Sequence, residues 1–180
     1  MISKLSKTLF LIIAFGLSCF ISNAQVEDQH MVEKLKTELP SLNSDTAKAL
    51  HLLNIAFYYN LVNYDSAIYY AERGNELATK MNFKLGVAHS HFVKGILYYQ
   101  AELFEKSLLE NLKARELYQE LNDTRNVGAT YTNMGIIYAM GIDKQTAIEY
   151  YIKSLEISKQ LNDSLGIAIN LNNIGICISS

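Results

Sequence analysis

Over most of the chain, apolar side chains return every three or four positions, and short polar clusters interrupt them. In "DTRNVGATYTNMGIIYAMG", Val127, Tyr131, Met134 and Tyr138 fall on one helical face. In "DKQTAIEYYIKSLEISKQLN", Ala147, Ile148, Tyr151, Leu155 and Ile157 do the same. The two segments predict a pair of helices. Asn122-Asp123 and Asp143 stand where N-caps belong, and Gly141 breaks the chain between the helices.

The pair is one copy of a repeat. At an offset of forty residues the chain aligns with itself, with identities at Glu76/Glu116/Glu156, Asn82/Asn122/Asn162, Gly95/Gly135/Gly175 and Ile96/Ile136/Ile176. Leu77/Leu117/Ile157, Val87/Val127/Ile167 and Ala67/Ser107/Ala147 are similar columns in the same register. This divides the chain into hairpins over 45–82, 83–122 and 123–162, with an incomplete unit over 163–180. The first copy fits with one residue fewer in its turn. Upstream, residues 25–44 predict one helix, from about Glu27 to Leu39, ended by Pro40, with Ser44 or Asp45 capping the next.

A glycine inside a helix costs about 1 kcal/mol relative to alanine, so Gly95, Gly135 and Gly175 need a reason. In a stack of hairpins the first helix must approach its own second helix closely. A residue without a side chain permits that approach, and Ala67, Ser107 and Ala147 supply small surfaces from the other side. No GxGxxG or phosphate-loop pattern follows a strand, so these are packing glycines.

At these residues the chain resembles the tetratricopeptide repeat family, in a forty-residue variant. The third unit carries Tyr131, Met134-Gly135, Tyr138, Ala147, Tyr151 and Ser154 at the family's positions. The second has His91, Lys94-Gly95, Tyr98, Ser107, Asn111 and Ala114, with Lys94 and Asn111 at usually apolar places. The first has Leu52, Ile55-Ala56, Tyr59, Ala67, Ala71 and Gly74. The resemblance implies an all-α fold, an α-solenoid of antiparallel hairpins in a right-handed superhelix. Tyr59, Ala67, Gly95, Tyr98, Gly135, Tyr138, Ala147 and Gly175 would be its repeat-packing residues.

The resemblance also implies that first helices line a concave groove. Carried onto this chain, the inward rows are Asn54, Val93, Asn133 and Asn173; then Leu53, Phe92, Thr132 and Asn172; then Phe57, Ile96, Ile136 and Ile176. Asn54, Phe57, Phe92, Ile96, Thr132, Asn133, Ile136, Asn172 and Asn173 are the candidate groove residues. Amides that bond a peptide backbone beside apolar contacts suit an extended peptide or a helix. The positions of a carboxylate clamp hold Leu50, His89, Ala129 and Ile169, without a Lys or Arg.

Composition and charge narrow the function. The chain has 180 residues, 49% hydrophobic and 19% charged, enough for one cored domain. A formal charge of −2 with mixed signs offers no basic stripe, so nucleic acid is not an expected partner. "MISKLSKTLFLIIAFGLSCFISNA" pairs Lys4 and Lys7 with an apolar run from Leu9 to Phe20 and ends in small residues, the layout of a signal peptide over 1–24. The run is shorter than the roughly 20 residues of a membrane span, so none is expected in the mature chain. Cleavage leaves 14 basic and 18 acidic residues, a charge of −4, and one cysteine, Cys177.

No catalytic or metal-binding constellation emerges. His89 and His91 diverge on a helix, Cys177 has no nearby His in sequence, and Glu76, Glu116 and Glu156 recur one per repeat. The expectation is a non-catalytic, cofactor-free scaffold for a protein or peptide, exported to the periplasm or beyond. It could be the sensing region of a longer signalling protein. The alternatives are a carbohydrate- or small-ligand-binding protein using the tyrosine-rich groove, or the accessory region of an enzyme. The fourth unit's lone helix would leave Leu171, Ile174 and Ile178 bare, which allows a homodimer or a longer chain.

Overall fold

The computed structural model describes residues 26–140 and 143–179. The expected signal peptide, Gly141 and Ser180 lie outside them. The described residues form helix α1 (26–38), a 3-10 turn (Leu39–Ser41), α2 (Asp45–Tyr59), α3 (Tyr64–Lys80), α4 (Lys84–Gln100), α5 (Phe104–Glu120), α6 (Thr124–Ala139), α7 (Lys144–Gln160) and α8 (Ser164–Ser179). Among them there is no strand.

Short polar side chains start several helices. Ser44 accepts from the Ala47 N–H, Asn63 from Ser66, Asp123 from Asn126 and Asp143 from Gln145. Pro40 occupies the opening of the 3-10 turn rather than a helix interior. The recurring asparagines explain the other ends. Asn82, Asn122 and Asn162 adopt φ of 51°, 56° and 53°, the left-handed conformation that closes a helix, and Glu102 holds the same place at 59°. After Asn82 the Phe83 N–H donates to Ala78 O at 2.9 Å, and after Asn122 the Asp123 N–H donates to Tyr118 O at 2.9 Å.

The pairs α2–α3, α4–α5 and α6–α7 pack as antiparallel hairpins, and α3–α4, α5–α6 and α7–α8 join each hairpin to the next helix. First helices also touch one another, α2 with α4, α4 with α6 and α6 with α8, while α3, α5 and α7 do not. Spacing is therefore tighter on the α2–α4–α6–α8 side, and the stack curves around that face. The fold is the all-α solenoid expected from the repeat.

The core is segmental, as a stack requires. One cluster joins Leu53, Ala56, Ala67, Ala71, Val93 and Leu97, a second Ala88, Ala114, Tyr118 and Val127, a third Ala147, Tyr151 and Cys177. Helix α1 buries Val32 and Leu35, and its Leu35 carbonyl meets His51 Nε2 at 2.8 Å.

The glycine column differs along the stack. A Cβ on Gly95 would stand 2.5 Å from Asn111 Nδ2, and one on Gly135 would stand 2.5 Å from Tyr151 Cε1. At Gly175 it would meet nothing within 4 Å, so this glycine packs against no second helix among the described residues. Ala67 and Ala147 are fully buried, Tyr59 stacks on Tyr70, Tyr138 stacks on Tyr150, and Lys106 lies over the Tyr98 ring.

Candidate functional site

On the concave side, Phe57, Ile96 and Ile136 of the third inward row come together at one cavity of about 260 Å³, while Ile176 of that row is exposed on α8 outside it. Helix α2 contributes Phe57, α4 contributes Ile96 and Tyr99, and α6 contributes Asn133, Ile136 and Ile137. Phe57 is 42% exposed. Beneath these walls lie Gly95, Ser107 and Asn111, all buried, and Asn60 and Gln100 complete the lining. No Asp, Glu, Lys, Arg or His lines this cavity.

The cavity has a hydrogen-bonded floor. Ser107 Oγ donates to the Gly95 carbonyl at 2.6 Å, Asn111 Nδ2 donates to the Ser107 carbonyl at 2.9 Å, and Asn133 Nδ2 donates to Asn111 Oδ1 at 3.2 Å. The chain of bonds fixes the buried Asn111 carboxamide against Gly95. Asn60 Oδ1, by contrast, is buried without a hydrogen-bond partner.

Asn133 also borders a second cavity of about 250 Å³, between α6, α7 and α8. There Thr132 Oγ1 lies 2.8 Å from Ser154 Oγ and donates to Asn170 Oδ1 at 3.1 Å, and Asn170 Nδ2 donates to Ser154 Oγ at 3.0 Å. Leu161, Leu165 and Ile169 give this cavity apolar surface, and Arg125 donates to Asp163 at 2.7 Å beside it.

The candidate groove residues thus divide. Phe57, Ile96, Asn133 and Ile136 meet at the first cavity, and Thr132 joins Asn133 at the second. Asn54 is exposed near His89 and Leu50, at a separate shallow depression. Phe92 packs beside His89 and Tyr118, with ring centroids at 6.1 and 6.4 Å, and Val93 is fully buried. Asn172 and Asn173 lie on α8 outside both cavities, Asn172 exposed and Asn173 half-buried. Sequence reasoning left Asn60, Tyr99, Gln100 and Asn170 out of the groove and placed Ser154 only as a repeat position. Asn111 had a signal: it was polar where the resemblance implies an apolar residue.

The other such departure, Lys94, belongs to a charge cluster between α4 and α5. Glu110 Oε2 accepts from His91 Nδ1 at 2.6 Å and lies 3.4 Å from Lys94 Nζ, and Glu110 Oε1 lies 3.1 Å from Lys113 Nζ. Burial alone would raise the Glu110 carboxyl. The His91 hydrogen bond, the Lys94 charge and the Lys113 hydrogen bond outweigh it and hold the pKa at about 2. His89 Nδ1 meets the Tyr118 hydroxyl at 3.2 Å. Burial lowers the His89 pKa against the opposing charge of Asp123, and burial with that same charge raises Tyr118. Burial, with Cys177 and Tyr99 nearby, pushes Tyr151 up to about 12. Glu76, Glu116 and Glu156 are exposed.

No protein-family model matches the chain, and no curated protein matches it. Among solved structures it is similar to the crystal structure of BtubC (BKLC) from P. vanneervenii, with a TM-score of 0.70 and 17% identity. The match covers 85% of this chain and 66% of that one, so this chain spans just under two thirds of the BtubC chain. At this identity the likeness concerns the fold. Among the described residues no helix is long and apolar enough to cross a membrane.

Proposed function

We propose that the chain is a tetratricopeptide-type, non-catalytic interaction scaffold that binds a protein segment, extended or helical, on its concave face. One observation carries this reading: the uncharged cavity that gathers Phe57, Ile96, Asn133 and Ile136 from three successive first helices. Apolar walls with carboxamides among them can hold a side chain and bond a peptide backbone together. The titratable side chains nearest the face are engaged in packing, His89 with Tyr118 and His91 with Glu110. The signal-like layout over 1–24 supports a reading in which the scaffold is exported.

The test is a titration of the full-length chain with random twelve-residue peptides, read by fluorescence anisotropy, beside a glycan array. Saturable peptide binding that is lost in Ile96→Asp and Ile136→Asp supports the groove. Glycan binding without peptide binding, or peptide affinity unchanged in both variants, overturns it.

A further inference from the structure

The second and third hairpins differ at one position, and the first cavity opens there. In the third hairpin Tyr151 lies against Gly135, 2% exposed and packed with Ala147 and Cys177. One repeat earlier the same position is Asn111, whose carboxamide covers Gly95 and ends. The room left beyond it is the cavity walled by Ile96, Tyr99, Ile136 and Ile137. The chain thus builds a phenol ring into one hairpin and leaves the corresponding space open in the other.

We propose that a tyrosine side chain of the bound segment fills this cavity, taking in the second repeat the place that Tyr151 holds in the third. The inference rests on the groove reading and names its ligand. At about 260 Å³ the cavity falls below the roughly 300–1,000 Å³ of sites for drug-sized molecules, so it suits one bulky side chain. No countercharge lines it, and a charged side chain would lose its hydration without compensation. The apolar walls favour a ring. The lining favours a hydroxyl, because the carboxamides of Gln100 and Asn133 bring both amide oxygens and amide N–H groups. A phenol O–H donates and accepts, whereas an indole N–H only donates. A phenylalanine in the same place would forgo that bond.

The probes are three pools of nine-residue peptides with Tyr, Phe or Asp fixed at the centre and Ala, Gly and Ser elsewhere, titrated against the full-length chain. The Tyr pool should bind roughly five- to tenfold more tightly than the Phe pool, the worth of one buried hydrogen bond, and the Asp pool should not bind. Gln100→Leu with Asn133→Leu removes both carboxamides and should bring the Tyr and Phe pools to equal affinity. Asn111→Tyr fills the cavity with the residue the third repeat uses and should abolish binding of both pools while the helical circular dichroism is retained. Equal binding of Tyr and Phe by the unaltered chain overturns the tyrosine assignment and leaves the groove standing. A Tyr preference that persists in that double variant overturns it too, and so does one that persists in a folded Asn111→Tyr. If the random twelve-residue peptides also fail to bind, the groove reading falls with it.

Discussion

A Cβ on Gly135 would stand 2.5 Å from Cε1 of Tyr151 and 2.7 Å from its Cδ1. The ring cannot step aside freely, because Tyr151 is nearly fully buried among Ala147, Cys177 and Ile174. Gly135→Ala should therefore destabilise the array by about 1–3 kcal/mol, through overpacking, despite alanine's better helix propensity. Thermal melting followed by circular dichroism reads it, at about 2–4 °C per kcal/mol for a chain of this size. An unchanged melting temperature would mean the Tyr151 ring relocates without strain.

Gly175 holds the same repeat position with the opposite expectation. A Cβ there meets nothing within 4 Å, so only the backbone entropy of a helical glycine remains. Gly175→Ala should stabilise α8 by roughly 0.5–1 kcal/mol. Amide hydrogen exchange resolves this best, because α8 ends the described stack and opens without the other hairpins. Slower exchange across Ile174–Ile178 is the expected result.

Glu102 is the odd member of the left-handed turns. Three turns place Asn at φ of 51–56°, and this one places Glu at 59°. The Cβ of an ordinary L-residue crowds the following carbonyl in that conformation, at about 1–2 kcal/mol, which Gly avoids and Asn offsets locally. Glu102→Gly should raise the urea midpoint with an unchanged slope, by roughly 0.5–1 kcal/mol after the added freedom of the unfolded chain is counted. A lowered midpoint would show that the Glu102 side chain contributes more than its backbone costs.

The hairpin architecture was legible in the sequence because a repeat multiplies weak signals. One Gly or one Asn means little, but the same residue at one register three times reports a shared geometry. The asparagine column was visible as identity before its cause, a helix-closing turn, could be seen. Only part of the site was legible. The resemblance placed Phe57, Ile96 and Ile136 in one row, and the structure gathers them with Asn133. Nothing in the sequence separated Asn133 from Asn54, two repeats earlier in the same row, which lies exposed at a separate depression. Asn60 and Tyr99 enter through the ends of their helices, where side-chain direction depends on the turn that follows. Gly175 matched its column perfectly, yet it lacks the neighbour that explains the other two.

Glu110 makes acid stability a property of one hairpin. Its folded pKa of about 2 lies below the ordinary 4.5, so the folded state binds fewer protons than the unfolded one between those values. The contribution is fully present above about pH 4.5 and is lost as the pH falls toward 2. Glu110→Gln keeps the shape, removes the titration, and leaves Lys94 and Lys113 facing a neutral amide. Urea midpoints should be lower in the variant at pH 7, by about 1–3 kcal/mol, and the gap should close as the pH falls toward 2. A constant gap from pH 7 to 2.5 would show that the stabilisation is not carried by the carboxylate charge.

The face of α8 turned away from α7 makes the last prediction. Leu171 is 53% exposed and Ile178 72% exposed, and among the described residues no helix covers them. Neither lines either concave cavity, so substituting them leaves the groove intact. Adjacent apolar surface of this kind drives association, since pairing it removes about 25 cal/mol of unfavourable hydration per Å². The full-length chain should show a weight-average mass that climbs with concentration in light scattering. Leu171→Lys with Ile178→Lys should hold that mass constant across the same range. Because both sites are exposed, the double variant should melt within about 0.5 kcal/mol of the parent per site, so a lost association would not be a lost fold. Equal scattering by the two proteins would mean that this face does not drive association.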